Sequence, residues 1–189
     1  MVRSSVVWAL ALIVAGLIPP GGAKGSEPRL TYIVPAAAES DDGEPERFRI
    51  PDLIFADGSG MPTHLAQFSG RVVILTFWSR TCGPCLKDLM LLNQIQGQFA
   101  NLPFSVVALS EDSTGSIGQV KAFLSKQKYD YLKPYGDINS GLAQGMGVRQ
   151  LPSSVIIDRE GRVAQVIEGS YPWASTETVA RLRQLIAVP

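Results

Sequence analysis

The chain has 189 residues, with 17 acidic and 17 basic side chains and one histidine, so it carries no formal net charge at neutral pH. That balance gives no electrostatic reason to bind nucleic acid or an anionic membrane, and two cysteines cannot build a structural four-cysteine zinc site. Hydrophobic residues make up 46% of the sequence, ample for a packed core, and the length fits one domain preceded by an extension.

Residues 1–23 have the layout of an export signal. Arg3 supplies a positive start, residues 6–18 are apolar apart from Gly16, Pro19-Pro20 breaks the run, and Gly21-Gly22-Ala23 offers small residues for cleavage. The run is short for a membrane span, which needs about twenty apolar residues. It serves as a cleaved signal peptide or as a membrane anchor, and either places the remainder outside the cytoplasm. Residues 24–47 mix Gly, Pro, Ala, Ser and acidic residues without periodicity and read as a linker, in which Tyr32-Ile33-Val34 could form a short edge strand. The globular domain is expected over residues 48–189. Its first strand, near residues 51–56, enters the turn Asp57-Gly58-Ser59-Gly60. His64 reads as a loop residue ahead of Leu65 and Phe68.

Residues 72–77 form an apolar, β-branched run expected as a buried strand. From Pro84 the apolar residues Leu86, Leu89, Met90, Leu92 and Ile95 recur mostly at three- and four-residue steps, the pattern of one helix face, to about Phe99. A second buried strand is expected at 104–110, a helix at 117–127 with Val120, Phe123 and Leu124 on one face, and a short helix within 137–146. Two more strands, 155–157 and 163–167, flank the hairpin signal Asp158-Arg159-Glu160-Gly161. A last helix starts at the N-cap Ser175, has Glu177 in its first turn, and turns Val179, Leu182, Leu185 and Ile186 inward. Strand, helix, strand, helix, hairpin, helix gives an α/β fold with a central mixed sheet flanked by helices.

Both cysteines lie at the junction of the first buried strand and its helix, as Cys82-Gly83-Pro84-Cys85. Random placement would give this spacing roughly one time in a hundred. On the first helical turn, the positive end of the dipole and its unpaired N–H groups stabilise a thiolate at Cys82 and make it nucleophilic near neutral pH. Cys85, one turn on, should be more buried and close enough to form a disulfide. A structural disulfide, a Cu(I) or zinc half-site and a redox pair all fit a bare Cys-x-x-Cys. A structural bridge closing so short a loop removes little chain entropy.

The longer stretch Phe77-Trp78-Ser79-Arg80-Thr81-Cys82-Gly83-Pro84-Cys85 resembles the Phe-Trp-Ala-x-Trp-Cys-Gly-Pro-Cys signature of thioredoxins. Its context over residues 48–188 is similar to the TlpA-like branch, exported thiol:disulfide reductases of bacteria. One departure is Thr81, where the family usually keeps an aromatic residue. The resemblance implies a thioredoxin-like fold and catalysis by thiol–disulfide exchange, with Cys82 as attacking and Cys85 as resolving residue. Asp88 stands where TlpA-like proteins carry an acid thought to assist proton transfer at the second cysteine; a solvated carboxylate in the first turns of a helix is the plain alternative. No carboxylate occurs in residues 72–77, and Thr76 lies in the strand region where cytosolic thioredoxins have a buried Asp. Leu151-Pro152 matches the site of the thioredoxin cis-proline, expected beside Cys82 as a backbone edge for an extended client. Trp78, Thr81, Leu151 and Pro152 are the expected substrate-binding set, with Trp78 as core or floor of the site. Residues 169–175 resemble the TlpA-like lead-in to the last helix and read as a structural corner, with lining of the partner surface as the alternative.

The Gly83-Pro84 pair is that of thioredoxin, whose potential is about −270 mV against about −120 mV for the oxidant DsbA, and favours the reductase direction. The resemblance further implies protein clients such as copper-delivery proteins, a cytochrome oxidase subunit or apocytochrome c, and a membrane thiol-transfer protein as electron donor. No cofactor is expected, since no flavin or nicotinamide motif is present. Two alternatives stand beside this reading. A peroxiredoxin-like peroxidase would need a Pro-x-x-x-Thr-x-x-Cys environment, but those places hold Leu75 and Ser79. A copper-binding chaperone on the same fold would usually want Cys-x-x-x-Cys and a nearby histidine.

Overall fold

The computed structural model describes residues 48–112, 117–137 and 140–188. The export segment, the linker and the edge strand expected at Tyr32-Ile33-Val34 lie outside the described residues. The strands are β1 (Ile54–Ala56), β2 (Pro62–His64), β3 (Val72–Trp78), β4 (Phe104–Ser110), β5 (Tyr135–Gly136), β6 (Ser153–Ile157) and β7 (Val163–Glu168). The helices are α1 (Gly83–Gln98), α2 (Ile117–Lys126), α3 (Gly141–Gly145) and α4 (Thr176–Ala187), with a 3-10 turn at Leu65–Phe68. None of these helices is long and apolar enough to cross a membrane.

The architecture follows from β3, all seven of whose residues are buried. Side chains on a strand alternate between faces, so Val72, Ile74 and Trp78 enter one core while Val73, Leu75 and Phe77 enter another. A strand apolar on both sides needs cover on both. Helices α1, α2 and α4 supply it on the first side. The lead-in residues Ile50 and Leu53, the 3-10 turn and α3 supply it on the second. The strand order is β2-β1-β5-β4-β3-β6-β7. β3 runs parallel to β4 and antiparallel to β6, and β4 runs parallel to β5, which makes the sheet mixed. This is the thioredoxin-like fold expected from the sequence.

Local chemistry sets the ends of the elements. The Ser175 hydroxyl accepts the Thr178 amide at 3.1 Å and starts α4. At the β6–β7 hairpin, Asp158 Oδ1 accepts the Glu160 and Arg162 amides at 3.1 and 2.8 Å, and Gly161 takes a φ of 80°. Asp137 accepts the Leu142 and Ala143 amides at 3.0 and 2.8 Å and opens α3, a shorter helix than residues 137–146 suggest.

Three readings need correction. Met90 is exposed; the stripe that α1 buries is Cys85, Asp88, Leu89, Leu92 and Ile95. Asp88 can join it because hydrogen bonds satisfy its carboxylate, whereas Met90 falls on the far side of the helix. His64 ends β2 rather than sitting in a loop, and its Nδ1 meets Asp52 Oδ2 at 2.8 Å. Trp78, expected to help bind substrate, is only 1% exposed and packs on Phe123 beneath the surface, so it offers no face to a client.

Candidate active site

β3 ends at Trp78, and four residues, the last of them Cys82, carry the chain past the end of the strand to α1. Cys82 is the N-cap of that helix. Its amide donates to Ser79 O at 3.1 Å, and its Sγ accepts the Cys85 amide at 3.2 Å. The two sulfurs are joined as a disulfide, with Cα atoms 5.2 Å apart. Cys82 is half-buried and Cys85 is fully sealed. The geometry therefore divides the roles. Only Cys82 can meet an external disulfide, and a helix-terminal N–H already points at its sulfur, where a thiolate gains most.

The loop before Cys82 is held by Asp112, two residues beyond the end of β4. Its carboxylate accepts Ser79 Oγ, Ser110 Oγ and Arg80 Nε, each at 2.9 Å, and the Arg80 amide at 3.2 Å. Burial pushes this carboxyl up, but the hydrogen bonds from Ser110, Ser79 and Arg80 outweigh it and leave it below the usual range. Thr81, exposed beside Cys82, has its Oγ1 3.0 Å from Ser79 Oγ. Sequence reasoning missed Asp112. The β3–β4 pairing reveals it: Trp78 pairs with Ser110 in the parallel ladder, so residues just beyond both strands share one end of the sheet.

Asp88 lies one turn beyond Cys85 and is 4% exposed, which removes the solvated alternative. Its Oδ2 accepts the Trp173 indole N–H at 3.0 Å and the Tyr171 amide at 3.3 Å. Burial raises its pKa; the hydrogen bonds from Trp173, Tyr171 and Ser170 act the other way and only partly offset it. The sequence pattern places Trp173 in a corner or on the partner surface and does not join it to Asp88, and nothing local in the sequence links the two. Thr76 shares a sheet face with the α1 core, and its Oγ1 accepts Ser154 Oγ at 2.8 Å, so two hydroxyls satisfy each other there.

Leu151–Pro152 is a cis peptide. Ser153 pairs with Phe77, which sets Pro152 at the same end of the sheet as Trp78 and the loop to Cys82. Leu151 and Cys82 both pack against the α1-side core. Pro152 O accepts the Gly169 amide at 2.8 Å. His64, on the outermost strand β2, stays away from this cluster.

Residues 45–186 match the Redoxin family model. The chain belongs to the Redoxin family. This Redoxin is 32% identical over 120 residues to the thiol-disulfide oxidoreductase ResA of Bacillus thuringiensis subsp. konkukian, an alignment covering 63% of the chain and 67% of that protein. It is 27% identical to the thioredoxin-like protein YneN of Bacillus subtilis, over 70% of the chain and 77% of YneN. Among solved structures it is similar to a Chlorobium tepidum protein assigned as the thiol:disulfide interchange protein DsbE, with a TM-score of 0.60 and 29% identity over 73% of the chain and 92% of that structure. A secreted disulfide oxidoreductase of Mycobacterium tuberculosis shares the fold, with a TM-score of 0.58 and 19% identity over 70% of the chain and 95% of that structure. This Redoxin is an oxidoreductase of the ResA and DsbE type, with thiol–disulfide chemistry.

Proposed function

We propose that this Redoxin is an exported, TlpA-like thiol:disulfide reductase that works outside the cytoplasm on protein disulfides. The observation that carries the reading is the asymmetry of the pair. Cys82 is accessible with an amide on its sulfur, while Cys85 is sealed and a buried carboxyl, Asp88, lies one turn further along the helix. In the reduced enzyme the Cys82 thiolate attacks a client disulfide, forming a Cys82–client bond and releasing one client thiolate, which takes a proton from water. The Cys85 thiol then gives its proton to the Asp88 carboxylate. The resulting thiolate attacks Cys82 Sγ, the Cys82–Cys85 bond forms, and the second client thiolate leaves. Two electrons have passed from the enzyme dithiol to the client.

Thr81 and the backbone of Leu151 border this chemistry as the client-facing edge, while Pro152 itself is buried and sets that backbone through the cis peptide. The N-terminal pattern of residues 1–23 supports export, with either release or anchoring. The TlpA-like resemblance supports copper-delivery proteins, a cytochrome oxidase subunit or apocytochrome c as clients, and a membrane thiol-transfer protein as electron donor.

The test is the equilibrium potential of the Cys82–Cys85 pair against a glutathione or dithiothreitol series, paired with a Cys85→Ser trap. A potential near about −270 mV and accumulated mixed disulfides fit the reductase; a potential near about −120 mV would reverse the assigned direction.

A further inference from the structure

The segment between β7 and α4, residues 169–175, reaches the site from one side. Gly169 takes a φ of 84° and donates its amide to Pro152 O, tying the segment to the cis-proline loop. The next turn folds Tyr171 and Trp173 together, with ring centroids 4.9 Å apart at 63° and the Trp173 amide on Tyr171 O at 2.8 Å. The Tyr171 phenol is fixed in turn by Gln165 Nε2 at 3.3 Å. Two donors of this one turn, the Tyr171 amide and the Trp173 indole, converge on a single oxygen of Asp88.

A buried indole usually finds some partner for its N–H, and a backbone carbonyl would serve. Here the partner is a buried carboxylate that, among the described residues, has no ion pair. Its titratable surroundings are few. On its own helix there is Cys85, with Lys87 exposed to solvent; on the segment 169–175 there are Ser170 and the Tyr171 phenol. From β3 comes the Thr76 hydroxyl, occupied by Ser154. Glu168 of β7 lines a cavity on the opposite sheet face with Phe77 and Val155. Arg181 of α4 is directed to Ala164 O. The ionised form of Asp88 thus depends on neutral N–H and O–H donors, and Trp173 supplies the shorter of the two hydrogen bonds to Oδ2.

We propose that Trp173 is a positioning residue for the resolving step: its indole N–H, with the Tyr171 amide, fixes the Asp88 carboxylate and favours the ionised form that takes the Cys85 proton. This rests on the reading of Asp88 as that acceptor. Trp173 acts through Asp88, the group its indole N–H donates to. Losing a donor to the carboxylate favours its protonated form, so the pH at which Asp88 becomes a competent base moves upward and resolution slows on the rising limb of its pH profile.

The experiment mixes the reduced enzyme with an aryl disulfide whose thiolate leaving group is coloured. A first release reports attack by Cys82, and a second reports resolution by Cys85. In Trp173→Phe the first phase should be unchanged. The second should be about fivefold slower on the rising limb, with its midpoint at higher pH. In Asp88→Asn the rising limb should vanish. A Trp173→Phe profile with an unmoved midpoint, beside an altered Asp88→Asn profile, overturns the role of Trp173 alone. An unaltered Asp88→Asn profile overturns the Asp88 reading and this inference with it.

A second measurement does not need the Trp173 variant to fold. In the oxidised enzyme neither cysteine titrates, so tryptophan emission followed against pH should show a transition that Asp88→Asn removes. Absence of any such transition also overturns the proposal.

Discussion

Two aspartates flank the disulfide, Asp88 buried and Asp112 partly buried, and burial pushes both carboxyls up, yet they end on opposite sides of the usual carboxylate range. Asp112 holds the loop before Cys82 and is more acidic than usual; Asp88 sits behind Cys85 and is less so. The difference lies in what donates to them. Asp112 receives two hydroxyls, an amide and a guanidinium that is also its ion-pair partner. Asp88 receives only neutral donors from a turn some 83–85 residues away in sequence. A carboxylate with a cation and many donors is a fixed anion suited to holding a loop. One with a few neutral donors can exchange a proton, as resolution of a mixed disulfide requires.

The largest expected effects come from deleting either side of this contrast. Asp112→Ala strips the Arg80 guanidinium of its partner and leaves the hydroxyls of Ser79 and Ser110 without their acceptor, a loss of about 2–4 kcal/mol in urea unfolding. Its sign with pH is also fixed. A carboxyl with a lowered folded pKa contributes stability above its unfolded value, and that contribution is lost as pH falls through the folded pKa. Acid unfolding of Asp112→Asn should therefore be shallower than that of the wild type.

Asp88→Asn should do the reverse. Resolution should slow by about a hundredfold, while stability at pH 7 stays within about 1 kcal/mol or rises, since the folded state already disfavours the charge there. A variant that instead loses as much stability as Asp112→Ala would show that both aspartates are structural anions, and the contrast would collapse.

Much of this arrangement was legible in the sequence. β3, β4, α1 and α4 carry their own signals: apolar β-branched runs, a three-and-four periodicity, the Ser175 cap. β2 and β5, with three and two residues, do not. β2 is a strand because it pairs with β1, and β5 because it pairs with β4 and β1, non-local events no short pattern announces. The site was split in the same way. The spacing of Cys82, Cys85 and Asp88 on one helix could be read, but whether Asp88 was solvated or buried depended on Tyr171 and Trp173. The clamp on the attacking side joins Asp112 to Ser79 and Arg80 across 32–33 residues, and it becomes visible only through the β3–β4 pairing. Trp78, read as core or floor of the site, is core; only its place in the substrate-binding set fails, because an aromatic beside a cysteine motif reads alike whether it lines the surface or the core.

The smallest effect is expected at Glu111, next to Asp112 in the chain, where the same balance tips further. Burial is the largest influence on its carboxyl. A hydrogen bond to Ser140 opposes it and the negative charge of Asp137 adds to it, with the net result pushed up to about 7. Asp137, whose carboxylate accepts the Leu142 and Ala143 amides, faces Glu111 from the start of α3. A raised folded pKa contributes stability that is complete below the unfolded value near 4.5 and is lost as pH rises through about 7. Partial exposure screens the effect, which should amount to about 1 kcal/mol between pH 5 and pH 8. Glu111→Gln keeps a neutral donor toward Asp137 at every pH, so its stability should be flat across that range. It should match the wild type at pH 5 and exceed it at pH 8. Parallel curves for the two proteins in urea unfolding at pH 5, 6.5 and 8 would show that Glu111 is already ionised at pH 5, and that burial beside Asp137 does not hold its proton.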